Sequence, residues 1–274
     1  MIDKTILRYY ELGLERDRLA DPRRTLEYLR TLTILERHLP PAPARVLDLG
    51  AGPGRYSLAL AERGHRVTLI DPVPLHLDQA REAAREARLE LTHIGPGDAR
   101  DLTRWPTASF DAILLLGPLY HLPDAAERRR VWEGVARLLA PGGVAVAAGV
   151  SRHYTAWEML SKNKLDLPGA EELLEEHWST GLHQNPAGEP AQWTTAYLHT
   201  PRELAAEPAA AGLGVEALLM VEGPAKLLPD LAERMTRPRE RDRLLHILAT
   251  LEAEPSVLGT SEHLLVIARA SRPQ

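Results

Sequence analysis

Cysteine is absent from the 274 residues, and so are any long apolar run and any excess of positive charge. Without cysteine the chain forms no disulfides and no thiolate metal sites, which is compatible with a reducing compartment. No stretch approaches the length of a membrane span, and residues 1–4 carry no apolar signal core. We therefore expect a cytoplasmic protein with no membrane partner.

The net charge of −5 gives no electrostatic case for nucleic-acid binding, which favours a basic face. The densest basic run, residues 128–130, falls inside a predicted helix and is typical of a solvated helix face. Hydrophobic residues make up 44% of the chain and charged residues 26%, as is ordinary for a globular protein. We expect a small-molecule partner and no nucleic acid.

Residues 45–56 hold the pattern around which the chain is organised: an apolar strand, a glycine turn and the start of a helix. Gly50, Gly52 and Gly54 alternate in the turn with small or rigid residues. Such a turn lets a ligand lie against the backbone, and the helix N-terminus offers unpaired N–H groups. A turn that merely joins two core elements needs one glycine, so the three glycines predict a ligand site.

From residue 45 onward, apolar runs of strand length alternate with amphipathic helices, which predicts an α/β fold with helices on both faces of a parallel sheet. Residues 1–40 predict a helical N-terminal cap, whose second helix begins at Asp21 and Pro22. Residues 152–199 break the alternation and predict an insertion of two short helices with a polar connection. We predict a single domain over residues 1–274, with a core at 45–150 and the sheet completed by 200–274. The predicted strands are 46–49, 66–70, 89–94, 110–116, 144–150, 215–221 and 263–270.

Three carboxylates, Asp48, Asp71 and Asp98, fall at strand ends or just after them. In an open α/β sheet the ligand lies beyond those ends, and Asp71 is placed to bind ribose hydroxyls. That position alone does not separate a nicotinamide dinucleotide from another nucleoside. The glycine spacing differs from the dinucleotide fingerprint, and a carboxylate at Asp48 would repel a pyrophosphate but attract a cation. Together these features favour a positively charged nucleoside without phosphates.

The stretch from Val46 to Gly54 closely resembles the first motif of class I S-adenosylmethionine-dependent methyltransferases, and the likeness extends through Asp71, residues 97–99, 110–111 and 139–143. The resemblance implies a Rossmann-like, seven-stranded, mostly parallel sheet whose last strand, 263–270, is antiparallel. It implies S-adenosylmethionine as cofactor and S-adenosylhomocysteine as product. The cofactor-binding residues that we predict are Asp48, Gly50, Gly52 and Gly54 near the methionine part, Asp71 for the ribose, with Pro72 beside it, Asp98 and Ala99 flanking the adenine, and Leu116 and Gly117 after the fourth strand.

The residues just after the fourth strand lie nearest the reactive methyl group in the enzymes that the chain resembles. Tyr120 and His121 are our candidate catalytic residues there. His121 could act as a general base, since its ordinary pKa near 6.5 suits neutral pH, or it could only line the cofactor pocket. The asparagine-proline-proline-aromatic motif of enzymes that methylate nucleobase amines or glutamine amides is missing, which disfavours those substrates.

The insertion holds a large share of the aromatic residues and histidines, and related small-molecule enzymes often build a substrate lid at this point. The tyrosine pair at residues 9–10 either covers the sheet or closes over a ligand. The histidines show no metal-ligand spacing, so we predict no metal site. The candidate substrate residues are Tyr9, His153, Tyr154, Trp157, Trp193, Tyr197 and His199.

We thus expect methyl transfer from S-adenosylmethionine to an oxygen or nitrogen of a small molecule. Two alternatives stay open on the sequence. One is a nicotinamide-dependent oxidoreductase, and the other is a non-catalytic regulatory protein that binds a nucleoside.

Overall fold

The computed structural model describes residues 4–185 and 194–272. The strands are β1 (Arg45–Leu49), β2 (Arg66–Asp71), β3 (His93–Pro96), β4 (Phe110–Leu115), β5 (Leu139–Ser151), β6 (Leu182–His183), β7 (Ala196–His199), β8 (Gly214–Met220) and β9 (His263–Arg269). A central sheet has the order β3-β2-β1-β4-β5, and these five strands are parallel. Strand β9 pairs antiparallel with β5, and β8 pairs antiparallel with β9. The short β7 pairs with the last two residues of β5, and β6 pairs antiparallel with β7.

Helices cover both faces of this sheet. Alternate residues of a strand point to opposite faces. Val46 and Leu114 accordingly pack in one apolar cluster, while Leu47 and Leu115 pack in another. The helices are α1 (Lys4–Glu11), α2 (Pro22–His38), α3 (Arg55–Glu62), α4 (Pro74–Ala87), α5 (Ala125–Leu138), α6 (Tyr154–Ser161), α7 (Ala170–Thr180), α8 (Pro201–Ala210), α9 (Leu231–Thr236) and α10 (Pro238–Leu251). In the described ranges none of them is long and apolar enough to cross a membrane.

The predicted α/β fold with an antiparallel last strand is confirmed, but the count of seven strands is wrong. Residues 4–185 and 194–272 form nine strands, because the insertion adds β6 and β7. These strands have two and four residues, too few to show an alternating pattern in the sequence. The insertion also contains its two predicted helices, α6 and α7.

Helix starts follow the capping residues closely. The side chain of Asp21 accepts from the backbone N–H of Arg23, and Pro22 occupies the first turn of α2. At the start of α8, Thr200 and Glu203 form a reciprocal capping box. These two caps set the first residues of α2 and α8.

Candidate active site

A cavity of about 350 Å³ lies beyond the carboxyl ends of β1, β2 and β4. At this edge β1 pairs with β2 on one side and with β4 on the other, so the strand order reverses here, as at the ligand sites of open α/β sheets. Its volume is in the range of small-molecule pockets. Nine of the ten predicted cofactor-binding residues line it: Asp48, Gly50, Gly52, Asp71, Pro72, Asp98, Ala99, Leu116 and Gly117.

Gly54, the tenth, lies outside the cavity wall. It precedes the first turn of α3 with a φ of 82°. A Cβ there would come within 2.8 Å of Leu69 Cδ1 and 3.4 Å of Ala80 Cβ. Glycine is therefore required at this position for the turn and for close packing of α3 on the sheet, and no sequence pattern separates that requirement from ligand contact.

Asp71, at the end of β2, stabilises the glycine turn through hydrogen bonds. Its Oδ2 accepts from the N–H of Gly52 at 2.8 Å, and its Oδ1 accepts from the N–H of Val73 at 2.9 Å and contacts His76 Nδ1 at 3.1 Å. A carboxylate oxygen has two lone pairs, so Oδ2 retains one position for a further donor. The buried carboxylate thus shapes the turn and still offers an acceptor to a ligand hydroxyl.

Asp48 is buried at the end of β1 and accepts a hydrogen bond from Ser57 Oγ at 2.7 Å. Burial raises its pKa to about 7, a direction that the Ser57 hydrogen bond opposes and the neighbouring charge of Asp71 reinforces. Near neutral pH the group is therefore only partly ionised. A cationic ligand beside it would favour the carboxylate form.

Arg100 is a cavity residue that the sequence reasoning missed. Its guanidinium binds Asp98 through Nε and Nη2 at 2.9 and 2.6 Å, and Nη1 reaches Glu127 of α5 at 2.9 Å. Burial raises the pKa of Asp98, but the hydrogen bonds from Arg100 outweigh it, so the pKa lies below its ordinary value. The spacing Asp-x-Arg could have predicted this contact, because a residue two positions after an aspartate can donate its backbone N–H to the carboxylate. Arg100 does so to Asp98 Oδ1 at 2.9 Å.

Tyr120 and His121 both line the cavity from a short 3-10 helix, Pro118–His121. His121 Nε2 lies 2.6 Å from Tyr10 Oη of α1. Burial lowers the pKa of His121 to about 4, although a backbone hydrogen bond with Thr195 acts in the opposite direction. Burial also raises the pKa of Tyr10 well above its usual value. Both groups are therefore neutral at pH 7, and the phenol of Tyr10 donates to the imidazole of His121.

The N-terminal cap contributes five residues to the cavity wall, and Tyr9 is not one of them. Tyr9 is half-buried and contacts the Tyr10 ring edge-on, with ring centroids 5.4 Å apart. Within the cap, Arg18 joins the segment after α1 to α2, because it binds Glu15 at 2.6 Å and Glu27 of α2 at 2.7 and 2.9 Å. The wall residues of the cap are Ile6, Tyr10, Glu15, Arg18 and Leu19.

The described substrate candidates of the insertion all lie outside the cavity wall. The Tyr197 ring contacts two guanidinium groups, with its centroid 3.7 Å from Arg128 Cζ and 5.7 Å from Arg152 Cζ. His199 is buried, and its Nε2 lies 3.3 Å from Glu207 Oε1. Tyr154 is buried in α6, whereas His153 and Trp157 are exposed, and Trp193 falls outside the described residues. Within the described part of the insertion, Thr195 is the residue that lines the cavity.

Histidine and carboxylates do meet elsewhere, although the sequence spacing predicted no such cluster. Ligand atoms of Glu27, Glu222 and His263 lie within 4.8 Å of one another. Glu27 already accepts two hydrogen bonds from Arg18, and His263 Nδ1 lies 2.6 Å from Glu222 Oε1. Burial lowers the pKa of His263, but the charges of Glu222, Glu27 and Glu262 and the hydrogen bond with Glu222 together outweigh it, so the pKa is about 9. The imidazole is thus protonated and paired, which is a poor state for binding a metal.

The comparisons with known proteins agree with this geometry. Residues 46–143 match the family described as a methyltransferase domain. A ubiquinone biosynthesis O-methyltransferase of Xylella fastidiosa is 34% identical over 126 residues, which are 46% of this chain and 50% of that protein. An S-adenosyl-L-methionine-dependent Diels-Alderase of Talaromyces variabilis is 35% identical over 118 residues, which are 42% of this chain and 39% of that protein. The chain thus spans about half the length, or less, of the relatives it matches.

A solved structure extends the likeness to the whole fold. The SAM-dependent methyltransferase from Methanosarcina mazei aligns over 88% of this chain and 98% of its own, with a TM-score of 0.58 and 21% identity. The fold and the resemblance predicted from the motifs are therefore confirmed. Residues 46–143 of this chain thus match a methyltransferase domain, and the chain has the fold of a SAM-dependent methyltransferase structure.

Proposed function

We propose that the chain catalyses methyl transfer from S-adenosylmethionine to an oxygen atom of a small molecule. The observation that carries the proposal is the cavity at the strand ends, where nine of the ten predicted cofactor-binding residues meet. The relative from Xylella is named an O-methyltransferase, which favours oxygen over nitrogen. We also propose that residues 1–274 act as one domain, since β8 and β9 complete the sheet beside β5.

The cavity residues fit this cofactor. Asp71 Oδ2 has a free acceptor position for a ribose hydroxyl, beside a turn whose Gly50 and Gly52 both have positive φ. At the same end of the cavity, Arg55 lies with Cζ 5.0 Å from the Tyr28 ring centroid. Its Nε is buried and has no hydrogen-bond partner within the described ranges. Arg55 and Asp48 would hold the carboxylate and the ammonium of the methionine part.

Methyl transfer requires few catalytic groups from the protein. Methyl transfer needs the acceptor oxygen in line with the sulfur–methyl bond, and it needs removal of the hydroxyl proton. His121 is neutral at pH 7 and accepts a hydrogen bond from a hydroxyl, as its contact with Tyr10 illustrates. We assign His121 to receive the acceptor's proton and Tyr120 to shape the wall beside it, since Tyr120 Oη donates to the carbonyl of Leu116 at 3.3 Å.

Calorimetric titration with S-adenosylhomocysteine tests the cofactor. We expect saturable binding by the wild type and at least tenfold weaker binding by Asp71→Ala, because the variant loses both the acceptor and the bond that shapes the turn. Asp78→Ala is the matched control, since this carboxylate lies exposed on α4 outside the cavity wall. No binding at near-millimolar ligand, or equal binding by Asp71→Ala, would contradict the proposal.

Formation of S-adenosylhomocysteine tests the reaction itself. The relative named a Diels-Alderase shows why this second measurement is needed: a similar domain is not always named for methyl transfer. We expect the product to form from S-adenosylmethionine when a hydroxyl acceptor is added. Titration with reduced nicotinamide cofactor should give no fluorescence change, and a saturable change would favour the oxidoreductase alternative.

A further inference from the structure

Tyr10 places a phenol group inside the cavity. Its Oη lies 2.6 Å from His121 Nε2. Its ring meets the rings of His76 and His121 edge-on, with centroids 5.3 and 5.4 Å apart. A tyrosine side chain is 4-methylphenol attached to the backbone, so the cavity already accommodates one aromatic hydroxyl compound with a defined hydrogen bond.

The helix that carries Tyr10 has few other anchors. α1 has eight residues, of which Ile6 is the buried one. Leu12 and Leu14, directly after it, are 53% and 58% exposed. A helix this short has little stability of its own in water. Displacing Tyr10 from the cavity therefore moves a short helix with one buried side chain, while Arg18 and Glu27 hold the following segment in place.

We propose that Tyr10 occupies the acceptor subsite and that the acceptor is a phenol, which takes the place of Tyr10 and donates its hydroxyl to His121. The inference rests on the proposed function and adds the substrate class. The aromatic ring of the acceptor would lie between His76 and His121, in the edge-on contacts that Tyr10 makes, and those contacts favour a planar aromatic ring over an aliphatic alcohol.

The transfer step forms one bond, breaks one bond and moves one proton to His121. A lone pair of the phenol oxygen forms the new oxygen–carbon bond, while the sulfur–carbon bond breaks and leaves its electron pair on sulfur as a neutral thioether. The hydroxyl proton passes to His121 Nε2 and later to solvent. The hydroxyl becomes strongly acidic as the new bond forms, so a histidine whose pKa burial holds near 4 is basic enough to accept the proton late in the step.

The decisive experiment removes the tyrosine side chain and supplies it as a free molecule. In Tyr10→Ala loaded with S-adenosylhomocysteine, we expect 4-methylphenol to bind at least tenfold more tightly than toluene, which lacks the hydroxyl. With S-adenosylmethionine, mass spectrometry should detect 4-methylanisole. His121→Gln in the same background should lower product formation at least tenfold while S-adenosylhomocysteine still binds. Tyr9→Ala is the matched control, because Tyr9 lies outside the wall and its loss opens no subsite.

A conservative variant, Tyr10→Phe, tests the same proposal if Tyr10→Ala does not fold. Tyr10→Phe keeps the ring and removes only the hydrogen bond, so 4-methylphenol should bind it about tenfold more tightly than the wild type. Equal affinity for both proteins overturns the proposal, as does 4-methylphenol that binds Tyr10→Ala but is not methylated. If the wild type fails to bind S-adenosylhomocysteine, the proposed function itself has failed. If it binds and no phenol product forms, only this inference has failed.

Discussion

The N-terminal cap, here residues 4–38, and the insertion, residues 152–199, are two additions to the same sheet, but they meet the cavity to very different extents. The cap places five side chains in the cavity wall, while the described part of the insertion places Thr195 there. The insertion nevertheless has more aromatic residues and histidines. Aromatic content is therefore a poor guide to which added segment closes a site.

The two segments also contain different ion pairs. Within the cap, Arg18 binds Glu27 of α2, whose side chain is 8% exposed. Arg152, the first residue of the insertion, binds Glu203 of α8, whose side chain is 38% exposed. Desolvated ion pairs are costly to break, because the remaining charge stays buried, whereas exposed pairs contribute little. The difference predicts that the cap depends on its charges and that the insertion depends on packing.

Breaking the two arginine pairs tests this contrast and should give the largest effect. Arg18→Met leaves Glu27 buried without its main partner, so we expect the free energy of unfolding to fall by about 4 kcal/mol. Arg152→Met is the matched control and should cost about 1 kcal/mol, since Glu203 reaches solvent. Urea denaturation measures both values. Equal losses would mean that the burial of Glu27 does not make its ion pair the more costly one to break.

The pH dependence of stability sharpens the comparison. The pKa of His263, beside Glu222 and near Glu27 under the cap, is raised to about 9 by those carboxylates. A raised histidine pKa stabilises the fold fully below the unfolded value near 6.5, and the gain disappears as the pH rises through 9. We expect about 3 kcal/mol of stabilisation at pH 6 from this group. His263→Gln should flatten the stability curve between pH 7 and 9.5.

The insertion should respond in the opposite pH range. Burial and, to a lesser extent, the neighbouring His183 lower the pKa of His177, in α7, to about 4. The unfolded chain then binds this proton more readily, so stability falls as the pH drops from 6.5 towards 4. His177→Gln should remove that acid-side loss and leave the alkaline side unchanged. Urea denaturation from pH 4 to 10 compares both variants with the wild type, and overlapping ranges would contradict the contrast.

Nine of the ten predicted cofactor-binding residues meet at one cavity because the patterns that predicted them are local. Asp48, Gly50 and Gly52 lie within five residues, and the strand pattern places Asp71 at the neighbouring strand end. Once the strands are assigned, a parallel sheet brings their carboxyl ends together. The fold followed from the same periodicity, apart from strands too short to show one.

The acceptor subsite that we propose depends on contacts between distant segments, which no local pattern encodes. Tyr10 meets His121 across 111 positions of the chain. From the sequence we named Tyr9 as a substrate candidate, but Tyr10 is the tyrosine of this pair that lines the cavity. The insertion's Tyr197 and His199 looked like substrate residues because aromatic rings and imidazoles suit binding sites, but here they pack against Arg128 and Glu207.

The smallest expected effect is on ligand affinity, when one apolar side chain of each segment is truncated. Leu19 of the cap lines the cavity and is buried. Trp157 of α6 is 44% exposed and lies outside the wall. We expect Leu19→Ala to weaken S-adenosylhomocysteine binding about fivefold, which is about 1 kcal/mol, and Trp157→Ala to leave it within twofold of the wild type. Calorimetry on both variants measures the two affinities. A larger loss in Trp157→Ala than in Leu19→Ala would indicate that the insertion, and not the cap, closes the cofactor site. Because the tryptophan is the larger side chain, the expected order of the two effects reflects position in the wall rather than the apolar area removed.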